Sequence, residues 1–201
     1  MTDIKKERTL VIIKPDGIQR SLIGEILKRY ERTGLTLVAM KMIIPNRTQI
    51  EKHYTVDPEW LFKCGSKAIN SYKEKGITPP SENPVDIGKM TLEKLKNYMT
   101  SGPVIAMIWT GMNAIGVVRK ITGSTEPLTS DVGSIRGDFT IDSYQISDTS
   151  ERSVRNLIHA SSSVDEAEKE IEIWFDKKEI INYRLFNEVV LYDTNLDGIL
   201  E

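Results

Sequence analysis

The chain has a single cysteine, Cys64, so no disulfide can form within it, and a thiolate zinc site lacks ligands. It has only two histidines, His53 and His159, and any imidazole chemistry must use one of them. Its longest apolar run, residues 104–109, is too short to cross a bilayer. It has no excess of either charge. With 27 Lys and Arg against 29 Asp and Glu, the net charge of -2 argues against a nucleic-acid binder, yet leaves room for a local anion site. Residues 1–8 lack the apolar segment of a secretory signal, and Thr2 stands where N-myristoylation needs glycine. A reducing, cytoplasmic setting is therefore expected. Neither G-x-x-x-x-G-K-[ST] nor G-x-G-x-x-G occurs, so P-loop and Rossmann nucleotide binding are not indicated.

What is present is enough for one packed domain: 201 residues, 39% of them hydrophobic. Residues 9–13 form a continuous apolar run, the pattern of a strand covered on both faces, and end in the turn Lys14-Pro15-Asp16-Gly17. Leu22, Ile23, Ile26, Leu27 and Tyr30 have helical spacing, with Ser21 as the cap and Gly34 as the stop. Residues 35–44 read as a strand and 46–54 as a short helix with an Asn46/Gln49 capping pair. The stretch 63–90, rich in glycine and proline, reads as an irregular insertion with a short amphipathic piece near Ala68, Ile69 and Tyr72. A helix is expected from Thr91 to Gly102, then a buried strand at 104–109 and a helix from Met112 to Thr122. Residues 123–151 read as a long loop, 154–159 as a strand, and 164–175 as a helix capped by Ser163 with Glu166. A last strand is expected at 189–192. The order suggests helices over a sheet, with a split βαβ arrangement.

Chemistry can gather at three places. His159 ends a strand just before a helix start, where free N–H groups and the helix dipole favour anions. Ser161, Ser162 and Ser163 add hydroxyls, and Glu170 on that helix can reach back to one ring nitrogen, fixing the tautomer. The residues alone also allow a satisfied structural histidine. Arg119, Arg136 and Thr125, with flanking glycines, suit a phosphate clamp, or equally a solvated loop. Lys14 closes a buried strand and can point into a site at that end of the sheet. Tyr54 and Phe62 read first as core aromatics.

Taken in order, Arg8-Thr9-Leu10-Val11-Ile12-Ile13-Lys14-Pro15-Asp16-Gly17-Ile18-Gln19-Arg20, Ser101-Gly102-Pro103-Val104-Ile105-Ala106-Met107, Ile135-Arg136-Gly137-Asp138-Phe139, Asn156-Leu157-Ile158-His159 and the helix from Ser163 through Glu170 to Trp174 and Phe175 resemble the nucleoside diphosphate kinase family. The resemblance implies a single α+β domain over 1–201, a ferredoxin-like sandwich whose antiparallel sheet is covered by helices, with insertions near 63–90 and 140–153. It implies transfer of the terminal phosphate of ATP or another nucleoside triphosphate to a nucleoside diphosphate, with a phosphohistidine on His159. Glu170 and Ser161 then orient the nucleophile. Lys14 and Asn156 hold the ribose, Tyr54, Arg119, Thr125 and Arg136 surround the phosphates, and Phe62 stacks on the base. Mg2+ is implied as cofactor, bound through nucleotide phosphates and not by protein side chains. A homo-oligomer, hexamer or tetramer, is implied as well.

Two departures bear on activity. Ala160 stands where the family has glycine, and Ser162 where it has aspartate. They and the insertions motivate a second reading, a catalytically weakened member that serves as a nucleotide-binding regulatory module.

Overall fold

The structure, a computed structural model, describes residues 6–74 and 76–199; the first five residues of the stretch read for a signal peptide lie outside it. In chain order come β1 (Glu7–Ile13), α1 (Pro15–Gln19), α2 (Ile23–Glu31), β2 (Thr36–Ile43), α3 (Arg47–Tyr54), α4 (Trp60–Glu74), α5 (Pro84–Met99), β3 (Val104–Gly111), α6 (Ala114–Thr122), α7 (Ile135–Phe139), α8 (Tyr144–Thr149), β4 (Ile158–Ala160), α9 (Val164–Trp174) and α10 (Glu188–Tyr192). The sheet has the order β2-β3-β1-β4, and every neighbouring pair is antiparallel. β1 and β2 therefore run in the same direction with β3 between them, the split βαβ arrangement of a ferredoxin-like α+β fold.

Alternation along the central strands explains the continuous apolar runs. Val11, Ile13, Ile105, Met107 and Trp109 bury into one layer with Ile26 and Tyr30 of α2 and Val118 of α6. Leu10, Ile12, Val104, Ala106 and Ile108 bury into the other with Ile50 of α3, Met99 of α5, and Ile171 and Trp174 of α9. Both faces are thus covered, and every residue of β1 from Thr9 onward is inaccessible to solvent.

Several expectations need correction. The stretch 63–90 is mostly helical: α4 and α5 form an antiparallel hairpin, and α5 begins at Pro84, not Thr91. Asn83 caps α5 by accepting from the Val85 N–H, with Pro84 as its first residue, a helix start hidden among turn-formers. The glycines serve close approach. A Cβ on Gly65 would sit 1.8 Å from the Pro84 carbonyl oxygen, and one on Gly88 2.1 Å from that of Leu61. The long loop holds two short helices, α7 and α8, each capped by a serine, Ser134 and Ser143. Ser21 does not cap α2; it takes a left-handed backbone at φ 57° and the helix starts at Ile23. The strand expected at 154–159 shrinks to Ile158–Ala160, because Leu157 is left-handed at φ 65° and cannot join a ladder. The last expected strand is instead the helix α10, with Val190 and Leu191 largely exposed.

Gly65→Ala should cost about 1–3 kcal/mol of unfolding free energy or more, the usual range for overpacking against a neighbour that cannot yield. Urea denaturation checks this, and a variant as stable as wild type would mean that the hairpin is held elsewhere.

Candidate active site

β1 delivers Lys14 to one end of the sheet. Its backbone N–H donates to the Leu157 carbonyl at 2.8 Å, and its ammonium donates to Asn156 Oδ1 at 2.7 Å. Asn156 Nδ2 donates onward to the Thr125 carbonyl at 2.8 Å. Burial, seconded by the Arg136 charge and opposed by Asp16, brings the Lys14 ammonium down to about 7. The Leu157 N–H donates to Asp16 Oδ2 at 3.2 Å, while Asp16 Oδ1 accepts from the Tyr98 hydroxyl at 2.6 Å. Asp16 thus holds the left-handed residue that aims the next strand, a role the sequence reading did not give it. A Cβ on Gly17 would come within 3.2 Å of the Leu157 carbonyl oxygen, so this turn closes only over glycine.

β4 then places His159 opposite Ile12. Ile158 and Ala160 turn into the α2/α6 layer, so His159 turns the other way, toward α3 and α9. Glu170 waits there, 1% exposed. Its Oε2 accepts from the Ser161 hydroxyl at 2.6 Å, and Ser161 Oγ accepts from the Leu10 N–H at 3.1 Å. Its Oε1 lies 2.9 Å from His159 Nε2, a close polar contact set off the ring's N–H direction. Burial raises the Glu170 carboxyl, with His53 and the Ser161 bond pulling it back. Burial and then the Lys14 charge lower His159 to about 3, so its imidazole is neutral across the physiological range. With Nε2 facing the carboxylate, Nδ1 is the nitrogen left with a free lone pair.

The remaining expected residues divide into two groups. Arg136 comes to the site, but its fork is largely committed: Nε donates to the Asn156 carbonyl, Nη1 to those of Gly123 and Ser124, and Nη2 to that of Ile158, at 2.6–3.1 Å. One N–H of Nη2 is left. Burial lowers its guanidinium to about 10. Tyr54 has its ring 6.5 Å from that of His159, and its buried hydroxyl has no partner among the described residues. Arg119 and Thr125 are exposed, on the last turn of α6 and the loop after it. Phe62 lies on the first turn of α4, 56% exposed and outside the packed ring cluster. The two departures are accommodated. Ala160 is an ordinary strand residue paired with Val11, and the Ser162 N–H donates to Glu166 Oε2 at 2.5 Å, helping close the α9 cap. The sequence reading also missed His53, which stands beside His159; its signal was its place directly before Tyr54 as one of two histidines.

The chain has known relatives. The family model for nucleoside diphosphate kinase matches residues 7–64 and 85–180. The chain belongs to the nucleoside diphosphate kinase family. A nucleoside diphosphate kinase from Pyrobaculum aerophilum is 42% identical over 179 residues, spanning 87% of this chain and 98% of that one. Nucleoside diphosphate kinase A from Canis lupus familiaris is 37% identical, spanning 93% and 97%. The crystal structure of the P. aerophilum enzyme superposes with a TM-score of 0.86 at 41% identity, covering 89% of this chain and all of that one. That of the Borrelia burgdorferi kinase, a transition-state mimic with bound vanadate and ADP, superposes at 0.76 with 34% identity, covering 92% and 96%. The unmatched stretch between the two family segments falls in the α4/α5 hairpin. Kinship with enzymes over nearly the full length disfavours the weakened regulatory reading. Among the described residues, no helix is long and apolar enough to cross a membrane.

The Lys14 shift predicts a pH signature. The lowered folded value means that burying Lys14 costs stability wherever the unfolded lysine is charged; the cost is full below about 7 and vanishes above the ordinary value of 10.5. Thermal unfolding of Lys14→Met should therefore show a stability gain over wild type that is largest near pH 7 and shrinks toward pH 10. A gain independent of pH would contradict a buried, perturbed lysine.

Proposed function

We propose that the chain transfers the terminal phosphate of a nucleoside triphosphate to a nucleoside diphosphate through a phosphohistidine on His159. The observation that carries this reading is the neutral, half-buried imidazole with Nε2 against Glu170 and Nδ1 unclaimed, beside Lys14 and Asn156. Nδ1 attacks the γ-phosphorus. A P–N bond forms as the P–O bond to the β-phosphate breaks, and the nucleoside diphosphate leaves with that electron pair. The second nucleotide's terminal oxygen then reverses the step. No proton has to be removed from the nucleophile, so the remaining work is alignment and charge stabilisation. As the ring takes the phosphoryl group it gains positive charge, and the Glu170 carboxylate, fixed by Ser161, lies against Nε2–H to offset it.

In this reading Lys14 and Asn156 bind the ribose hydroxyls, with the Lys14 charge restored once a polyanion enters. Arg119, Thr125 and the last free N–H of Arg136 meet the phosphates beside Tyr54. Phe62 stacks on the base, which suits any nucleobase because each has a π-face. The relative that binds vanadate and ADP supports a site for a nucleotide and a transferring group together.

The family uses a divalent metal, and Mg2+ is the ion proposed here. The one trio of ligating groups among the described residues, His53, His159 and Glu170, offers two nitrogens and one oxygen, a poor match for a cation that demands oxygen. Mg2+ is thus assigned to the nucleotide's phosphates, where it would neutralise their charge. A homo-oligomer, hexamer or tetramer, is proposed too; the exposed Met40, Met42 and Ile44 of edge strand β2 and its end support a covered face.

Incubation with γ-labelled ATP and Mg2+ should leave an acid-labile, base-stable label on the protein that GDP discharges. His159→Ala should take none while still binding ADP. Label retained by that variant would sink the mechanism. Phe62→Ala should weaken ADP binding by about 1–3 kcal/mol, read by calorimetry; an unchanged affinity would mean that the base rests elsewhere.

A further inference from the structure

Glu170 does not face His159 alone. His53, near the end of α3 and 2% exposed, brings Nδ1 to 3.4 Å from the same Oε1. That Nδ1 accepts from the Trp174 indole N–H at 3.3 Å, which assigns the ring's proton to Nε2. Nε2 is buried and has no acceptor among the described residues. The ring stands edge-on to His159, with centroids 4.4 Å apart and planes at 80°. It is held from two sides in turn, by Trp174 at 5.7 Å and Tyr54 at 4.8 Å.

The phosphohistidine reading requires that one particular nitrogen face the cleft. An imidazole is nearly a symmetric disc, and a rotation about its bond to Cβ exchanges the positions of nitrogen and carbon. The Glu170 contact by itself is a weak lock, because it lies off the N–H direction and a carboxylate accepts from either ring nitrogen. His53, packed edge-on with its centroid 4.4 Å away, limits how far the ring can tilt or swing from Glu170.

We propose that His53 is a positioning residue: its ring is the wall that limits the tilt and swing of His159, so that Nε2 stays on Glu170 and Nδ1 stays toward the nucleotide. The proposal rests on the phosphohistidine reading and deepens it. Its prediction concerns which isomer forms. Attack through Nε2 would balance in the same way, with a P–N bond made and the nucleoside diphosphate released, but from a misaligned ring.

The experiment compares wild type, His53→Ala and His53→Phe as full chains charged with ATP and Mg2+. Phosphorus NMR of the denatured phosphoenzyme distinguishes Nδ1- from Nε2-phosphohistidine, rapid quench gives the phosphorylation rate, and circular dichroism checks the fold. Wild type should carry the Nδ1 isomer alone. His53→Ala, with the wall removed, should yield Nε2 isomer or phosphorylate more slowly, on the order of 100-fold for a reacting group displaced by about 1 Å, with little change in the KM for ATP. His53→Phe, which keeps a flat ring there, should return the single isomer. A merely structural role would alter the melting temperature and leave the isomer and rate alone. A folded His53→Ala that phosphorylates only on Nδ1 at the wild-type rate overturns the proposal. If that variant does not fold, His53→Leu, which fills the volume without a planar wall, takes its place under the same two outcomes. Wild type that takes up no phosphate removes the kinase reading, and this proposal with it.

Discussion

The site depends on one buried carboxylate. Glu170 reaches from α9 across to the sheet, and through Ser161 it is tied to the backbone of Leu10 in the central strand. A carboxylate in that setting would be costly if it stood alone. It is kept by being needed on two sides, by a hydroxyl at one oxygen and an imidazole at the other. The packing of α9 on β1 therefore places the carboxylate against His159 Nε2, and the apolar layer of Leu10, Ile12, Ile171 and Trp174 fixes that placement. Burial does further work on the same group, since desolvation keeps the imidazole neutral without a dedicated base.

Much of this was legible in the sequence where period and turn chemistry agree. The apolar runs at 9–13 and 104–109 marked the central strands, and Ser163 with Glu166 marked the start of α9. Glu170 could be expected to reach His159 because it lies on the helix that starts there. The failures share a cause. In 63–90, Gly65 and Gly88 look like breakers, yet they sit inside helices because a neighbouring backbone occupies the place of a side chain. At 189–192, a run with β-branched residues is helical, against its β-propensity. His53 and Asp16 were missed because their importance lies in contacts across 106 and 141 positions, to His159 and to Leu157, which no local pattern reports.

The two stretches expected as insertions are built differently. The first lies within the α4/α5 helical hairpin, whose close glycine contacts pack the first turn of α4, the turn that carries Phe62, against α5. The second holds α8, pinned by Asp142 to Arg152 and to the Arg155 N–H, and by Glu126 to the Tyr144 N–H. Glu126 follows Thr125, whose carbonyl accepts from Asn156. That helix is therefore tied to the loop that carries Thr125.

Arg136 carries a consequence for how the molecule assembles. Its guanidinium satisfies carbonyls at Gly123, Ser124, Asn156 and Ile158, drawn from two chain segments on either side of its own helix in the sequence. None of these segments can leave singly without stranding a buried cation or a carbonyl. The two segments should then open together, and the amides around Arg136 should exchange in one cooperative step. A nucleotide entering such a site meets a receptor that is already set, so little of its binding energy goes into ordering the protein.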